Sequence, residues 1–226
     1  LKEDGSFYRF GEIQKNQEIA DLLENIAEQG VDYFYKGKVA KQIVDLINDR
    51  GGCFDVSDME SYEPKFREPV KTTYRGYEVA AFAPPSGGCA LVEMLNILEN
   101  YDVRSMGHNT AASIHALTES MKLGFADRSV ALGDPDFVNV DVERLTSKKF
   151  AHERFTLAGE KAGEFASADG IEAKQYPGNT SHFVVMDKDG NAFSQTQTIR
   201  DWFGCGIVVD GLGFVLNNAM SDFSAA

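Results

Sequence analysis

The amino-acid sequence predicts an α+β fold, mostly helical in its N-terminal part and built on an antiparallel sheet after residue 180. Before residue 159, apolar residues recur at three- and four-residue spacing, which is typical of amphipathic helices. After residue 180 they occur in short runs divided by Asp-Gly and Phe-Gly pairs, which favour strands and tight turns. With 226 residues and 43% apolar content, the chain can bury a core of its own.

The helical part contains a series of apolar stripes with recognisable ends. Gly30 follows the first stripe and Gly51-Gly52 follows the second, and glycine is a common residue just beyond a helix C-terminus. Gly87-Gly88 predicts a packing turn that leads into a largely buried helix. The predicted helices span residues 17–29, 38–50, 57–62, 89–98, 109–127 and 146–158.

Strands are predicted in two places. Residues 65–75 and 77–82 carry β-branched and aromatic side chains around Gly76 and predict a hairpin. Beyond the polar, Ala- and Gly-rich residues 159–178, which form the one plausible internal boundary, the period changes from helical to alternating. The strands predicted there span residues 181–187, 191–199, 206–209 and 213–216.

Charge and cysteine content exclude several classes of protein. The formal net charge of −13 is spread along the chain and argues against nucleic acid or an anionic membrane as a partner. Cys53, Cys89 and Cys205 are widely spaced, without a CxxC pair, so we expect free thiols and no metal. The first residues lack the basic and apolar regions of a signal peptide, and no apolar run approaches the roughly 20 residues that span a bilayer. The compartment is left open.

A series of motifs, in order along the chain, resembles the γ-glutamyltranspeptidase family. Those after residue 178 are Asn179-Thr180-Ser181-His182, Asp187-Lys188-Asp189-Gly190-Asn191-Ala192, residues 196–199, Phe203-Gly204 and Leu216-Asn217-Asn218-Ala219-Met220-Ser221-Asp222-Phe223-Ser224. Those upstream are Phe34-Tyr35-Lys36-Gly37, Pro84-Pro85-Ser86-Gly87-Gly88, Leu95-Asn96-Ile97-Leu98-Glu99, Ala126-Asp127-Arg128 and Leu132-Gly133-Asp134-Pro135-Asp136-Phe137. The resemblance covers nearly the whole chain.

The resemblance implies an N-terminal nucleophile hydrolase with a four-layer αββα sandwich. Residues 1–178 match the C-terminal part of the family's large subunit, and residues 179–226 match the start of its small subunit, the two folding as one structural domain. The bond between Asn179 and Thr180 is then the site of autocleavage, and Thr180 is the catalytic nucleophile. A threonine hydroxyl is weakly nucleophilic alone, but the α-amino group freed by cleavage can act as its base.

Further site residues follow from the same resemblance. Thr198 matches a second catalytic threonine that orients the nucleophile, and Asp222 matches the acid that binds the substrate's α-ammonium group. His182 is expected to be a hydrogen-bonded core residue and not the catalytic base. The family's carboxylate-binding arginine and oxyanion-hole glycines match no residue of this chain, so the resemblance implies that this segment alone is inactive.

Two positions depart from the family's pattern. Arg200 stands where the transpeptidases have asparagine, and Ala219 stands where they have glutamine or glutamate. A fixed cation at position 200 and a missing acceptor at position 219 disfavour binding of an ammonium group. Arg200 is therefore a candidate for substrate binding, in addition to Asp222. Arg200 could instead be a strand-end residue or an ion-pair partner of Asp201.

Three functions therefore stay open at this point. The first is transfer or hydrolysis of γ-glutamyl groups from small amides, with water, an amino acid or a peptide as acceptor. The second is a glutaryl-cephalosporin acylase-like or other amidohydrolase activity on acyl groups that lack an α-ammonium. The third is an uncleaved, non-catalytic structural protein. We expect no cofactor, no nucleic acid and no membrane partner, and we expect the rest of the same chain as partner in a processed heterodimer.

Overall fold

The structure is a computed structural model that describes residues 2, 4–165 and 180–222. These residues form two compact units. The first contains the residues up to Pro64 together with those from Thr180 onward, and the second contains the residues from Lys65 to residue 165. Helices and antiparallel strand pairs occur together, in agreement with the predicted α+β class, while the four-layer sandwich stays a prediction.

Helices make up most of the regular structure before residue 156, and the β3–β4 strand pair follows residue 180. The helices are α1 (Gln17–Gln29), α2 (Asp32–Tyr35), α3 (Gly37–Asp49), α4 (Val56–Glu60), α5 (Gly88–Leu98), α6 (Val103–Met106), α7 (Ala111–Ala131), α8 (Val142–Thr146) and α9 (Lys148–Phe155). The strands are β1 (Val70–Tyr74), β2 (Tyr77–Ala81), β3 (Ser181–Met186) and β4 (Ala192–Gln197). A single 3-10 turn follows at Ala219–Asp222.

The core of the first unit lies between helices α1, α3 and α4 and the segment 207–216. Its buried apolar side chains are Leu22, Val39, Ala40, Ile43, Val44, Met59, Val209 and Leu212. Two side-chain amides fasten the segment to the helices: Asn16 Nδ2 donates to the Gly213 carbonyl at 2.6 Å, and Gln42 Nε2 donates to the Asp210 carbonyl at 2.5 Å. The C-terminal residues are therefore held by the N-terminal helices of the chain.

Strands β3 and β4 form a two-stranded antiparallel hairpin that is exposed on both faces. Its turn is held by Asp187, whose Oδ1 accepts hydrogen bonds from the backbone of Asp189 and Asn191, both at 2.9 Å. Gly190 has a φ of +86°, a conformation that glycine adopts without steric cost. These contacts set the register of the hairpin, in which Ser181 lies opposite Gln197.

The strands predicted at 206–209 and 213–216 are not formed. The two segments meet in one isolated bridge, between Val208 and Val215. Gly206, Gly211 and Gly213 have positive φ values and interrupt the extended backbone. The side chain of Leu212 is buried in the core of the first unit. The segment therefore contributes buried side chains to the core without extending the sheet.

In the second unit, α5 is the central element, in contact with β1, β2, α7, α8 and α9. Cys89, Val92 and Ile97 on this helix are fully buried. A Cβ atom at Gly88 would lie 1.9 Å from the carbonyl oxygen of Phe82, so only glycine fits there. This contact confirms the packing turn predicted at Gly87-Gly88.

Helix boundaries in this unit differ from those predicted. The helix predicted over residues 146–158 is shorter, α9 at Lys148–Phe155, because the side chain of Ser147 accepts a hydrogen bond from Phe150 N and caps the helix there. The short helix α8 before it, Val142–Thr146, was not predicted. Helix α7 begins at the Thr110 cap and continues past Asp127 to Ala131. Asp127 thus lies inside the helix, where it pairs with Arg154 across a distance of 2.6 Å.

Cys53 and Cys205 are exposed thiols, while burial in α5 raises the pKa of the Cys89 thiol. Among the described residues, no cluster of His, Cys, Asp and Glu side chains could hold a metal ion. Within the same residues, no helix has the length and apolar character needed to cross a bilayer.

Candidate active site

The β3–β4 hairpin brings Thr180 and Thr198 together. Thr180 immediately precedes β3 and Thr198 immediately follows β4, so both lie one residue beyond the paired strands. Continuing the register by one step places them directly opposite each other. The Thr180 hydroxyl donates to Thr198 Oγ1 at 3.2 Å, and both side chains are exposed.

Thr198 Oγ1 also accepts a hydrogen bond from the backbone of Arg200. The Arg200 N–H lies 2.9 Å from Thr198 Oγ1. Arg200 has a φ of +75°, in the left-handed region that residues with a Cβ rarely occupy. The chain thus turns back immediately after β4, and the turn closes on the Thr198 hydroxyl.

The side chain of Arg200 joins two carboxylates. Its Nε donates to Asp222 Oδ1 at 2.8 Å, and its Nη1 donates to Asp201 Oδ2 at 2.6 Å. The hydrogen bonds that Arg200 donates to the two carboxylates raise the pKa of the guanidinium, with Asp222 the larger contributor. Arg200 and Asp222, both predicted from the sequence as substrate-binding residues, therefore contact each other.

Asn218 fastens this cluster to the end of β4. Its Nδ2 donates to Asp201 Oδ2 at 2.6 Å, and its Oδ1 accepts from Asp201 N at 3.1 Å. The hydrogen bond from Asn218 and the Arg200 guanidinium hold the pKa of the Asp201 carboxyl below its usual range. Asn218 lies within the motif that carried the resemblance, although the sequence alone predicted no role for it.

His182 lies on β3, two residues after the candidate nucleophile Thr180, but makes different contacts. Its Nδ1 is 2.7 Å from Thr196 Oγ1, and its Nε2 is 3.3 Å from Ser194 Oγ. The expectation of a hydrogen-bonded histidine is confirmed, but the expectation of a core position is wrong, because the side chain is exposed. Within the described part of the chain, no further layer covers the two-stranded hairpin to bury this residue.

The described residues therefore provide a hydroxyl pair beside a cluster of ionised groups. Thr180, Thr198, Arg200 and Asp222 belong to one connected set of hydrogen bonds. Asn179, the predicted residue before the cleavage point, lies outside the described residues. Such a set can orient a hydroxyl nucleophile and bind a polar group of a substrate next to it.

Comparison with known sequences identifies the same family over the whole chain. The sequence profile of the family described as gamma-glutamyltranspeptidase matches residues 1–226. A glutathione hydrolase proenzyme of Escherichia coli is 40% identical over 229 aligned positions, which cover 99% of this chain and 39% of that protein. The acylase ACY 1 proenzyme of a Pseudomonas species is also 40% identical, over 90% of this chain and 36% of that protein.

Comparison of structures agrees. A crystal structure of cephalosporin acylase from Bacillus halodurans matches with a TM-score of 0.83 and 31% identity, over 98% of this chain and 39% of that one. The chain thus spans about two fifths of the length of these relatives. The profile match and the relatives show that the chain belongs to the γ-glutamyltranspeptidase family.

Proposed function

We propose that the full-length protein is a self-processing amidohydrolase or acyltransferase in which Thr180 is the nucleophile. It takes γ-glutamyl or related acyl groups from small amides and passes them to water, an amino acid or a peptide. The observation that carries this proposal is the 3.2 Å hydrogen bond between the hydroxyls of Thr180 and Thr198 at the head of β3, in a chain of this family.

Processing begins with attack of Thr180 Oγ1 on the carbonyl carbon of Asn179. The C–O bond forms as the C–N bond breaks, which converts the peptide into an ester and leaves Thr180 with a free amine. Water then hydrolyses the ester to give a new carboxyl terminus at residue 179 and restores the hydroxyl. The net reaction consumes one water molecule and needs no cofactor.

Turnover uses the same hydroxyl. The Thr180 amine accepts the proton from Oγ1 as that oxygen attacks the amide carbon of the substrate, and it then donates the proton to the departing amine. An acyl ester on Thr180 remains and is transferred to the acceptor. Thr198 orients Thr180 Oγ1 through the hydrogen bond between the two side chains.

The rest of the same chain is the proposed partner in the processed protein. Two features support this proposal: the relatives are more than twice as long, and the hairpin that carries the site exposes apolar side chains on both faces. The exposed side chains are Phe183, Val184, Val185, Met186 and Phe193. A hairpin this apolar is marginally stable without further layers.

The contact between Arg200 and Asp222 favours a second candidate for the substrate. A substrate ammonium would have to share the Asp222 carboxylate with a guanidinium that already donates to it at 2.8 Å. Ala219 offers no side-chain acceptor in compensation. Acyl donors without an α-ammonium, such as glutaryl amides, face no such competition.

Intact-mass measurement of the full-length protein tests the proposal. The wild type should yield two fragments that meet at Thr180, and it should hydrolyse a γ-glutamyl or a glutaryl anilide. Thr180→Ala should remain one chain without activity, whereas Thr180→Ser keeps a hydroxyl and should still be cut. Normal cutting of the alanine variant would identify a different nucleophile.

The structural alternative predicts a different result. A non-catalytic protein would give a single uncut wild-type chain and no turnover of either anilide. That result would contradict the proposed function.

A further inference from the structure

We infer that Arg200 is a positioning residue for the Thr pair: its ion pairs hold a strained backbone whose N–H fixes the Thr198 side chain against Thr180. This inference rests on the proposed function, because it assigns a role in orienting the proposed nucleophile. It differs from the substrate-binding role predicted for Arg200, since the group that acts is the backbone N–H and not the guanidinium.

The Thr198 oxygen forms hydrogen bonds with Arg200 N and with Thr180 Oγ1. A hydroxyl oxygen has one proton to donate and two lone pairs to accept with. The Arg200 N–H, at 2.9 Å, uses one lone pair and thereby fixes the direction in which the side chain points. The other lone pair and the proton stay available to Thr180 Oγ1, which lies 3.2 Å away.

The Arg200 backbone adopts a conformation that is rare for a residue with a Cβ atom. The hydrogen bond from Arg200 N back to Thr198 Oγ1 occurs with Arg200 at a φ of +75°. For a residue with a Cβ this conformation is unfavourable and persists only when the surroundings hold it in place. Glycine, and to a lesser degree asparagine, adopts it readily.

The side-chain ion pairs of Arg200 hold this backbone in place. The Arg200 side chain is 13% exposed and donates to Asp222 through Nε and to Asp201 through Nη1. Asn218 binds the Asp201 backbone and side chain, so one of these acids is itself fixed. The guanidinium is therefore anchored by two carboxylates, and the anchored side chain restrains its own backbone.

The inference predicts an order among substitutions that all remove the guanidinium. Arg200→Ala loses the anchors, and a φ of +75° remains unfavourable for alanine. The backbone should therefore relax, and its N–H should move away from Thr198. Arg200→Gly and Arg200→Asn lose the anchors but tolerate the left-handed conformation, so the N–H can stay. We expect the kcat of Arg200→Ala to be about tenfold below that of Arg200→Gly and Arg200→Asn, with KM alike in all three.

A double-substitution cycle with Thr198 separates this role from a general structural one. In the full-length protein carrying Thr198→Val, the oxygen that accepts from Arg200 is absent. Adding Arg200→Ala to that protein should then change kcat by less than about twofold. The unfolding midpoint of each variant, measured by circular dichroism, reports separately on folding.

The outcomes separate the inference from the function on which it rests. An uncut, inactive wild type contradicts the proposed function. If the wild type is cut and active but Arg200→Ala is as fast as Arg200→Gly and Arg200→Asn, the Arg200 inference is contradicted while the proposed function stands. The same holds if Arg200→Ala lowers kcat by an equal factor with and without Thr198. If Arg200→Ala fails to fold, equal kcat for Arg200→Asn and Arg200→Val overturns the inference, because valine tolerates a positive φ least.

Discussion

Charged side chains cluster in both units, but in opposite environments. In the second unit, Glu93 is 1% exposed and lies beside the ion pair of Asp127 with Arg154. In the first unit, Asp222 is 66% exposed and pairs with Arg200 at the end of a hairpin. The two clusters contain similar groups and have different consequences.

Burial dominates in the second unit. Loss of solvation, followed by the neighbouring Asp127, raises the pKa of Glu93 to about 9. Glu93 Oε1 has no hydrogen-bond partner among the described residues. A carboxyl in this position is protonated at neutral pH and costs stability to keep there.

Exposure dominates in the first unit. The carboxylates that pair with Arg200 are 35% and 66% exposed, and water screens such ion pairs, so the cluster adds little to global stability. The Arg200 cluster lies next to the paired hydroxyls of Thr180 and Thr198. A displaced pKa therefore marks a packing feature in one unit, while the candidate site in the other is recognised by its geometry.

The largest expected effect is the pH dependence caused by Glu93. The unfolded chain releases this proton near pH 4.5, and the folded chain holds it to about pH 9. Between these values the folded state binds more protons, so stability is greatest at the acidic end and falls as pH rises. The slope for one proton is about 1.4 kcal/mol per pH unit at most.

Glu93→Gln tests this prediction, because glutamine cannot ionise. The unfolding midpoint of this variant should exceed that of the wild type at pH 8 and depend less on pH. Glu78→Gln, at an exposed strand position with a 4.0 Å contact to Lys71, is the control and should follow the wild type. Parallel pH curves for the two variants would show that Glu93 is ionised in the folded state.

The next effect is the loss of the cation in the same cluster. Arg154→Met leaves the Asp127 carboxylate beside Glu93 without its ion-pair partner and should cost about 2 to 3 kcal/mol in the free energy of unfolding. Lys188→Met removes a cation whose side chain is 87% exposed from its ion pair with Asp189, and it should cost less than about 0.5 kcal/mol in the free energy of unfolding. Denaturant unfolding measures both, and equal costs would contradict the contrast between the units.

A smaller effect, on activity alone, is expected in the first unit. Thr198→Val removes one hydrogen bond to the proposed nucleophile and should lower kcat about tenfold, equivalent to roughly 1.4 kcal/mol. Thr196→Val, two pairs further into the hairpin, removes the contact to His182 and should leave kcat unchanged. Both substitutions suit a strand, so unfolding midpoints should stay close to that of the wild type. If the Thr196 variant lost as much activity, hairpin geometry and not the Thr pair would be responsible.

The smallest expected effect is a change of preference. Arg200→Asn combined with Ala219→Gln frees the Asp222 carboxylate and restores an acceptor beside it. The ratio of kcat/KM for a γ-glutamyl anilide to that for a glutaryl anilide should rise severalfold, by about 1 kcal/mol. The single variant Ala219→Gln is the control, and a ratio that is the same in all three proteins would show that these positions do not contact the α-substituent.

Much of the local structure could be predicted from the sequence because it depends on neighbouring residues. Helix α1 spans the predicted residues 17–29, with Asn16 as its cap and Gly30 beyond its end. Asp187 and Gly190 form the turn that the Asp-Gly pair predicted, and this turn determines which residues face each other in the hairpin. The facing positions of Thr180 and Thr198 follow from that register.

Other features were decided only by tertiary contacts. The segment 206–216 has strand-like composition, yet burial of Val209 and Leu212 against α1 and α3 determines its path.

The sequence by itself determined the family, the candidate nucleophile and the local turn that brings Thr180 to Thr198. It left open whether Arg200 binds substrate, lies in solvent at the end of a strand or pairs with Asp201. Only the tertiary structure joined Arg200 to both Asp201 and Asp222, the latter through a contact between side chains 22 residues apart. Such a contact depends on how the segment after β4 folds back, and local sequence patterns carry no information about that distance.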